Sequence, residues 1–338
     1  MVSASDAAAA GRCLIQSARR LMCQNSNMLQ NTRRILAVAL LAAIVSSNSD
    51  RSKYSPRKAQ PALELKNVVS FPLSSDGLPS SSQGLIDALS AGLRGRVKLP
   101  DEARPVIAKG DSYPSLDQLT VDLTDASIDS GHQLPRLKPR GPIESTVHAD
   151  DFAFRADPMK VDGASISLDV HAHDVQLGLQ RDRNHTPILV LTSARDGIAR
   201  CDTTTSDLSR MFRASADFRG RPYGLRVQRA RLSLISDNNH QINADLSLAS
   251  RLLLMPISLH FTARVDVDDA GNAHLSNLTC RGDDIAGWLI SGFIRPELAQ
   301  HNNRTMPLIA FPTDRVKLRD VRVGINGDAI HLTAVFGS

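Results

Sequence analysis

The sequence ISLHFTARVDV, residues 257–267, decides the fold class of this chain. Apolar residues occupy every second position from Ile257 to Val267, and polar residues occupy most positions between them, as in a β-strand with one buried and one wet face. The turn-forming sequence DDAGN (268–272) follows, and residues 273–278 bring the chain back. The stretch therefore predicts an antiparallel hairpin.

A helix is predicted directly after this hairpin, because the apolar period changes from 2 to 3.6 residues after Cys280. Asp283 or Asp284 is placed to cap its first turn, and Pro296 is expected to end or kink it near Arg295. The stripe of residues at helical spacing consists of Ile285, Trp288, Leu289, Gly292 and Phe293.

The period-two pattern recurs from Leu116 to the end of the chain. The sequence NG at 326–327, between alternating strands in 321–336, is the strongest hairpin signal. The phase of the alternation reverses at His173, between residues 227 and 230, and between residues 318 and 321, which predicts β-bulges. The sequence pattern does not alternate strands with helices, which argues against Rossmann and TIM architectures. We expect a mainly β (α+β) fold, in which a long curved antiparallel sheet wraps around one or two amphipathic helices.

Three regions are predicted along the chain. Residues 1–49 carry five arginines and an apolar run at 35–45, typical of a targeting segment or signal anchor, with Met28 an alternative start. Residues 50–114 are rich in Ser and Pro and predict a tether with one short helix around Leu85, Leu89 and Leu93. That helix either docks on the body or lies on a membrane. Residues 115–338 form the β-rich domain.

Charge and aromatic content argue against nucleic-acid binding. The chain has 40 basic and 35 acidic residues, but residues 1–50 contain five of the basic and two of the acidic ones, so the rest is nearly neutral. Nine Phe, three Tyr and one Trp offer little for base stacking.

Four motifs carry a family resemblance. In chain order they are TTTSDLSRMFR (203–213), MPLIAFP (306–312), VKLRDVRV (316–323) and NGDAIHL (326–332). Over residues 116–336 this order resembles the LmeA-like phospholipid-binding proteins, which are similar to the tubular lipid-binding (TULIP) superfamily. That resemblance implies a curved sheet wrapped on a helix around an apolar groove, with no catalytic residue and no cofactor.

The resemblance also implies what the chain binds. The small aliphatic interior suits an acyl chain and a packed core equally well, and the resemblance favours a phospholipid or glycolipid. We expect binding, or transfer, in a groove at a membrane surface. The expected lining residues are Leu259, Phe261, Val265, Ile285, Trp288, Leu289 and Phe293. The expected headgroup contacts are Arg229, Arg231, Lys317 and Arg319, although such rows of charge also keep an exposed sheet face soluble.

Two other functions stay open. One is a structural or interaction protein of an envelope or organelle, with a filled core. The other is a metal-dependent hydrolase using His171 and His173, which share one face of a strand, although the polar neighbours also suit a solvated sheet. The expected partners are membrane lipid and the membrane surface, in an exported or organellar compartment: a plastid in a eukaryote, the periplasm or cell envelope in a bacterium. Cys201 and Cys280 either pair or remain buried thiols.

Overall fold

The computed structural model describes residues 69–129, 137, 139–182, 184–252, 255–268, 271–308 and 316–338. The predicted targeting segment, residues 1–49, lies outside these described residues. The three α-helices of the described part are α1 (Ser82–Arg94), α2 (Thr205–Gly220) and α3 (Ile285–Ala299). Its strands are β1 (Ser70–Pro72), β2 (Val106–Lys109), β3 (Ser115–Asp122), β4 (Ser127–Ile128), β5 (Arg140–Val161), β6 (Ala164–Arg181), β7 (Pro187–Ser193), β8 (Asp196–Thr204), β9 (Leu225–Asn238), β10 (Gln241–Leu252), β11 (Met255–Val267), β12 (Asn272–Gly282), β13 (Arg304–Pro307), β14 (Lys317–Asn326) and β15 (Ala329–Gly337).

The strands form two sheets. Sheet A has ten strands, with the main order β14-β15-β8-β6-β5-β3-β2 and with β1, β4 and β7 paired beside it. Sheet B has five strands in the order β13-β12-β11-β10-β9. Most neighbours are antiparallel, but β3 and β4 each run parallel to β5. The mainly β prediction is confirmed. The strands form two sheets, one of them with parallel neighbours, where the sequence predicted a long curved antiparallel sheet, because period-two alternation identifies strands without identifying their partners.

Both predicted hairpins are present. β11 pairs with β12, and β14 pairs with β15 around the Asn326-Gly327 turn. Two of the three predicted bulges occur: the β9 register shifts at Gln228 and the β14 register at Arg319, each left without a partner. In β6 the phase reverses at Asp174, which has a positive φ of 53°, while the register with β5 is the same on both sides of it. At Gln228 and Arg319 a single extra residue turns the following side chains to the opposite face, which is why the apolar pattern changes phase there.

The segment expected to be a tether is part of the body from residue 70 onward. Helix α1 is present as predicted and docks on the body, since Leu85, Leu89 and Leu93 are all buried. β1 pairs with β7, and β2 pairs with β3. The boundary predicted at residue 115 is therefore wrong. In the described part of this segment, Ser81 caps α1, and the short elements belong to the same core as the sheets.

Helix α2 begins with a side-chain cap. Thr204 Oγ1 accepts a hydrogen bond from the Asp207 backbone N–H at 3.0 Å, as expected for a threonine at the start of a helix. The Asp207 carboxylate in turn accepts from the Ser165 N–H of β6 at 3.0 Å. These bonds fix the first turn of α2 against sheet A.

The other side of α2 lies along the edge strand of sheet B. Ser209 Oγ accepts from the Leu232 N–H at 2.9 Å, and Asp217 Oδ1 accepts from the Val227 N–H at 3.0 Å, both on β9. Helix α2 thus satisfies donors that an edge strand leaves free, and it holds the two sheets together. Buried apolar side chains of both sheets belong to one continuous core cluster.

Cys201 and Cys280 are both buried free thiols, on β8 and β12. Burial raises the pKa of the Cys201 thiol to about 12, and the nearby Asp202 carboxylate acts in the same direction. Burial also raises the pKa of Cys280 to about 11, partly offset by Arg295. The reactive thiolate is therefore scarce at both positions at neutral pH.

We predict that a folded variant lacking Cys13 and Cys23 reacts slowly with a disulfide reagent at mildly alkaline pH. The thiolate fraction is the reason, because pKa values of 11 to 12 leave about one thiol in a thousand or fewer ionised near pH 8. The measurement is the rate of thiol labelling, which should rise with pH and rise sharply in denaturant. Equal rates in the folded and denatured protein would contradict the burial of these cysteines.

Candidate functional site

Helix α3 is tied to sheet B at its first turn by Asp284. Its Oδ1 accepts from the Gly287 N–H at 2.6 Å, which caps the helix. Its Oδ2 accepts from the Ser258 N–H of β11 at 2.7 Å. One carboxylate therefore caps the helix and fixes it to a strand. The sequence left open whether Asp283 or Asp284 caps this helix, and in the structure it is Asp284.

Two glycines let the backbones of α3 and β12 touch. A Cβ on Gly282 would lie 1.9 Å from the carbonyl carbon of Gly287, which no side chain permits. A Cβ on Gly287 would lie 2.5 Å from the carbonyl oxygen of Ser258. The helix start consequently packs directly on the strand backbone.

Further along, α3 covers the edge of β12. β13 pairs only with residues 272–275 of that edge. Beyond them, Arg295 Nε donates to the Cys280 carbonyl at 2.9 Å, and Asn302 Oδ1 accepts from the Leu278 N–H at 3.2 Å. The helix and the turn after it take the place of a missing strand.

The helix continues through Pro296 to Ala299, so of the two predicted effects of this proline, an end or a kink near Arg295, the end is wrong. Proline removes one helix hydrogen bond and crowds the carbonyl four residues earlier, here that of Gly292. Gly292 has open space around it, and Leu298 in the last turn is buried in the core. Packing of this turn offsets the local cost of the proline.

These contacts decide which face of α3 points inward. Gly287, Ser291 and Leu298 are buried, and Ile294 packs against the core. The opposite face carries Ile285, Trp288 and Leu289, whose exposed fractions are 84%, 64% and 51%. We call these three residues the outward face of α3. Among the residues that the structure describes, these are the large exposed apolar side chains that lie together on one short helical segment.

The predicted groove lining is therefore split between two locations. Leu259 and Val265 are buried on the inner face of β11, where Phe261 is partly buried against the same core. The outward face of α3 points away from them, which corrects the prediction that it encloses a groove with the strand. The Phe293 side chain lies outside the described residues. The correction arises because α3 is apolar on both sides, so its stripe alone does not identify the buried face.

The predicted headgroup residues are also split. Arg229 and Arg231 are exposed on β9 of sheet B, while Lys317 and Arg319 are exposed on β14 of sheet A. β14 approaches the turn end of sheet B, where Leu318 meets Gly271. That turn lies some ten residues of β12 from Gly282, a span of about 30 Å.

Cross-strand pairing adds Arg226, Arg251 and Arg281 to the predicted Arg229 and Arg231. Arg251 lies opposite Arg226 across the β9–β10 pair. In another row, Arg231, Ser247, His260 and Arg281 follow one another across four strands. We call the resulting exposed set the arginine surface: Arg226, Arg229, Arg231, Arg251 and Arg281. Its members are far apart in sequence, and only the strand register brings them together.

Ser247, His260 and Asp283 form a hydrogen-bonded series on the same face. Ser247 Oγ lies 3.0 Å from His260 Nδ1, and His260 Nε2 lies 2.7 Å from Asp283 Oδ2. The three residue types are those of a hydrolase triad, but a catalytic serine needs an enclosed position with oxyanion donors. A concavity of about 220 Å³ is lined by the neighbouring rows, including Ser233 and Thr262, and Ser247 is not part of its lining. The series fixes Asp283 beside Arg281.

The histidines of the metal alternative lie on the outer face of sheet A. His173 Nδ1 is 2.6 Å from Asp151 Oδ1, and His171 Nε2 is 3.1 Å from Asp169 Oδ1. Each imidazole thus has its own carboxylate. Among the residues that the structure describes, no group of three or more His, Cys, Asp or Glu side chains is placed to hold a metal ion.

A second concavity, of about 260 Å³, lies at the C-terminal end of α1. Its polar lining includes Arg94, Arg96, Lys98 and Asp129, and Lys98 and Asp129 form an ion pair at 2.9 Å. Burial lowers the pKa of Arg96, and the negative charge of Asp182 partly offsets that effect. The predicted lining residues belong to neither concavity.

Comparison of the chain with protein-family models, curated proteins and solved structures gives no match. The described helices include none that is both long and apolar enough to cross a membrane. Function must therefore be argued from the surfaces described above.

We predict that Gly282→Ala destabilises the protein by about 1–3 kcal/mol, because the added methyl group forces α3 off the strand. Gly292→Ala is the matched control: it adds the same methyl group within α3 itself, in open space, and should stabilise by up to about 1 kcal/mol. Urea unfolding measures both. Equal effects of the two substitutions would contradict the backbone contact.

Proposed function

We propose that this protein binds membrane lipid without catalysis, by laying the outward face of α3 in the interface of a membrane. The observation that carries the proposal is the exposure of Ile285, Trp288 and Leu289 on neighbouring positions of one helix. Soluble surfaces rarely group large apolar side chains in this way, and such groups mark membrane or protein contacts. The ligand class is a phospholipid or glycolipid.

Trp288 makes the outward face of α3 suited to the interface between acyl chains and headgroups. Tryptophan is enriched where the acyl region meets the headgroups, because its ring is apolar and its N–H is a hydrogen-bond donor. Ile285 and Leu289 flank it on the same side of the helix and provide purely apolar area. A helix bearing such residues lies in the plane of the interface and does not cross the bilayer.

The firm attachment of α3 favours this role. The Asp284 bridge and the Gly282–Gly287 contact hold the helix in place before any lipid arrives. Binding then costs little conformational entropy, since the apolar residues are already displayed on an ordered helix. A rigid display suits reversible attachment to a membrane surface.

The proposal places lipid on the outside of the helix. The inner faces of both sheets contribute buried Leu, Val, Ile and Ala side chains to the shared core. An acyl chain between the sheets would have to displace those contacts. Contact through the outward face requires no such rearrangement.

We predict that the full-length protein binds phosphatidylcholine vesicles and that binding shifts its tryptophan emission to shorter wavelength. Trp288 is the only tryptophan in the chain, so the signal reports on α3 alone. Ile285→Gln and Leu289→Gln should each weaken binding about tenfold, because a large apolar side chain contributes about 1.5–3 kcal/mol when fully buried. Vesicle sedimentation measures the affinity.

The control is Ile107→Gln, which removes a 44% exposed isoleucine from β2 of sheet A and should leave binding unchanged. All variants keep residues 1–68, so any vesicle affinity of that segment is common to them. Unchanged tryptophan emission with vesicles would reject the proposal. Self-association through α3 in place of vesicle binding would favour the structural or interaction protein considered above.

A further inference from the structure

We propose that the arginine surface selects lipids whose headgroups carry anionic phosphate or carboxylate groups. This inference rests on the proposed membrane function and names the lipid class that the surface prefers. It follows from the register of sheet B, which gathers arginines from three strands, β9, β10 and β12, on one face.

The arginines occupy three adjacent rows across the sheet. Arg226 and Arg251 are cross-strand partners in the first row, and Arg229 opposes Ala249 in the second. Arg231 and Arg281 belong to the third row, at the two ends of the Ser247–His260 pair. The rows lie at the end of the sheet where β10 passes into β11, so the charges form one continuous area.

Carboxylates are scarce within this area. In the described part of the chain, the four arginines of β9 and β10 take part in no ion pair or hydrogen bond through their side chains. Arg281 has only a long contact of 3.8 Å with Asp283, which also binds His260. Asp245, another acid on the same face, belongs to the next row. The guanidinium groups are therefore available to an external anion.

The Arg226–Arg251 pair gives an independent argument for a ligand. Like charges directly opposite each other in a sheet destabilise it. Removing them should therefore preserve or raise stability, which is the usual behaviour of residues kept for binding. A solvated sheet face does not require two arginines at partner positions.

The surface is joined to the outward face of α3 through the chain itself. Arg281 precedes Ile285 by four residues, and Asp283 between them holds His260 of the arginine row. Arginine side chains are long and bind phosphate oxygens in pairs. They can reach headgroups at the rim of a helix that lies in the interface, where each basic residue adds attraction to an anionic membrane.

The neighbouring residues favour lipid over nucleic acid. Single-stranded nucleic acid binds where arginines alternate with exposed aromatic rings. Beside the arginines, the three rows contain Ala249, Ser258 and Pro256. The third row also contains Ser247 and His260, whose imidazole ring is held by Asp283. The exposed aromatic residue close by is Trp288, whose neighbours Ile285 and Leu289 are apolar.

The test compares binding of the full-length protein to vesicles of phosphatidylcholine alone and of phosphatidylcholine with phosphatidylserine. We expect tighter binding to the anionic vesicles, and a loss of that advantage at high salt. Arg226→Gln/Arg251→Gln should weaken binding to anionic vesicles roughly 30-fold and leave binding to neutral vesicles unchanged. Its thermal unfolding midpoint should equal or exceed that of the wild type.

The matched control is Lys317→Gln/Arg319→Gln, which removes the same charge from sheet A and should change binding less than about threefold. An equal loss in both variants would mean that net charge alone acts, and would overturn the inference. So would equal affinity for both vesicle types, a lowered unfolding midpoint, or arginine-dependent binding of single-stranded DNA in preference to vesicles. None of these results would abolish the shift in Trp288 emission on neutral vesicles. Failure of this inference is therefore distinguishable from failure of the proposed membrane binding.

Discussion

The edges of sheet B are the constraint on which the rest of the structure depends. An edge strand presents backbone groups with no partner, and this sheet has one such strand on each side. On the β9 side, Ser209 and Asp217 of α2 accept from strand N–H groups. On the β12 side, Arg295 of α3 donates to the Cys280 carbonyl, and Asn302, in the turn after α3, accepts from the Leu278 N–H. Polar side chains from two helices and one turn thus replace two missing strands.

The way α3 closes the strand edge determines which of its side chains are exposed. A helix that closes a strand edge must approach the backbone closely, and α3 does so with Gly282 of the strand against its own Gly287. At the start of the helix a small residue occupies the contact face, and the bulky Ile285, Trp288 and Leu289 lie on the opposite face. The exposure of Trp288 is thereby connected to the way the sheet is finished. We infer that a membrane contacts the apolar side chains that this packing leaves exposed.

The sequence predicted the elements well and their arrangement poorly. Alternation located β11 and both hairpins, and even its interruptions were informative, since the bulges at Gln228 and Arg319 appear as phase changes. A period does not say which strands pair, so neither the second sheet nor the parallel neighbours of β5 could be predicted. The same limit hid Arg251 and Arg281, which join Arg229 only through cross-strand register. The orientation of α3 was missed because glycine contacts, which leave no apolar signal, decide its buried face.

Quenching of Trp288 by brominated phospholipids tests the central claim most directly. Bromine placed at successive positions along the acyl chain reports how deeply the single indole enters the bilayer. The account predicts strong quenching by bromines near the headgroups and weak quenching by bromines near the bilayer centre, as for a helix lying in the interface. Absence of quenching at every depth, in vesicles that do bind the protein, would show that α3 faces away from the membrane.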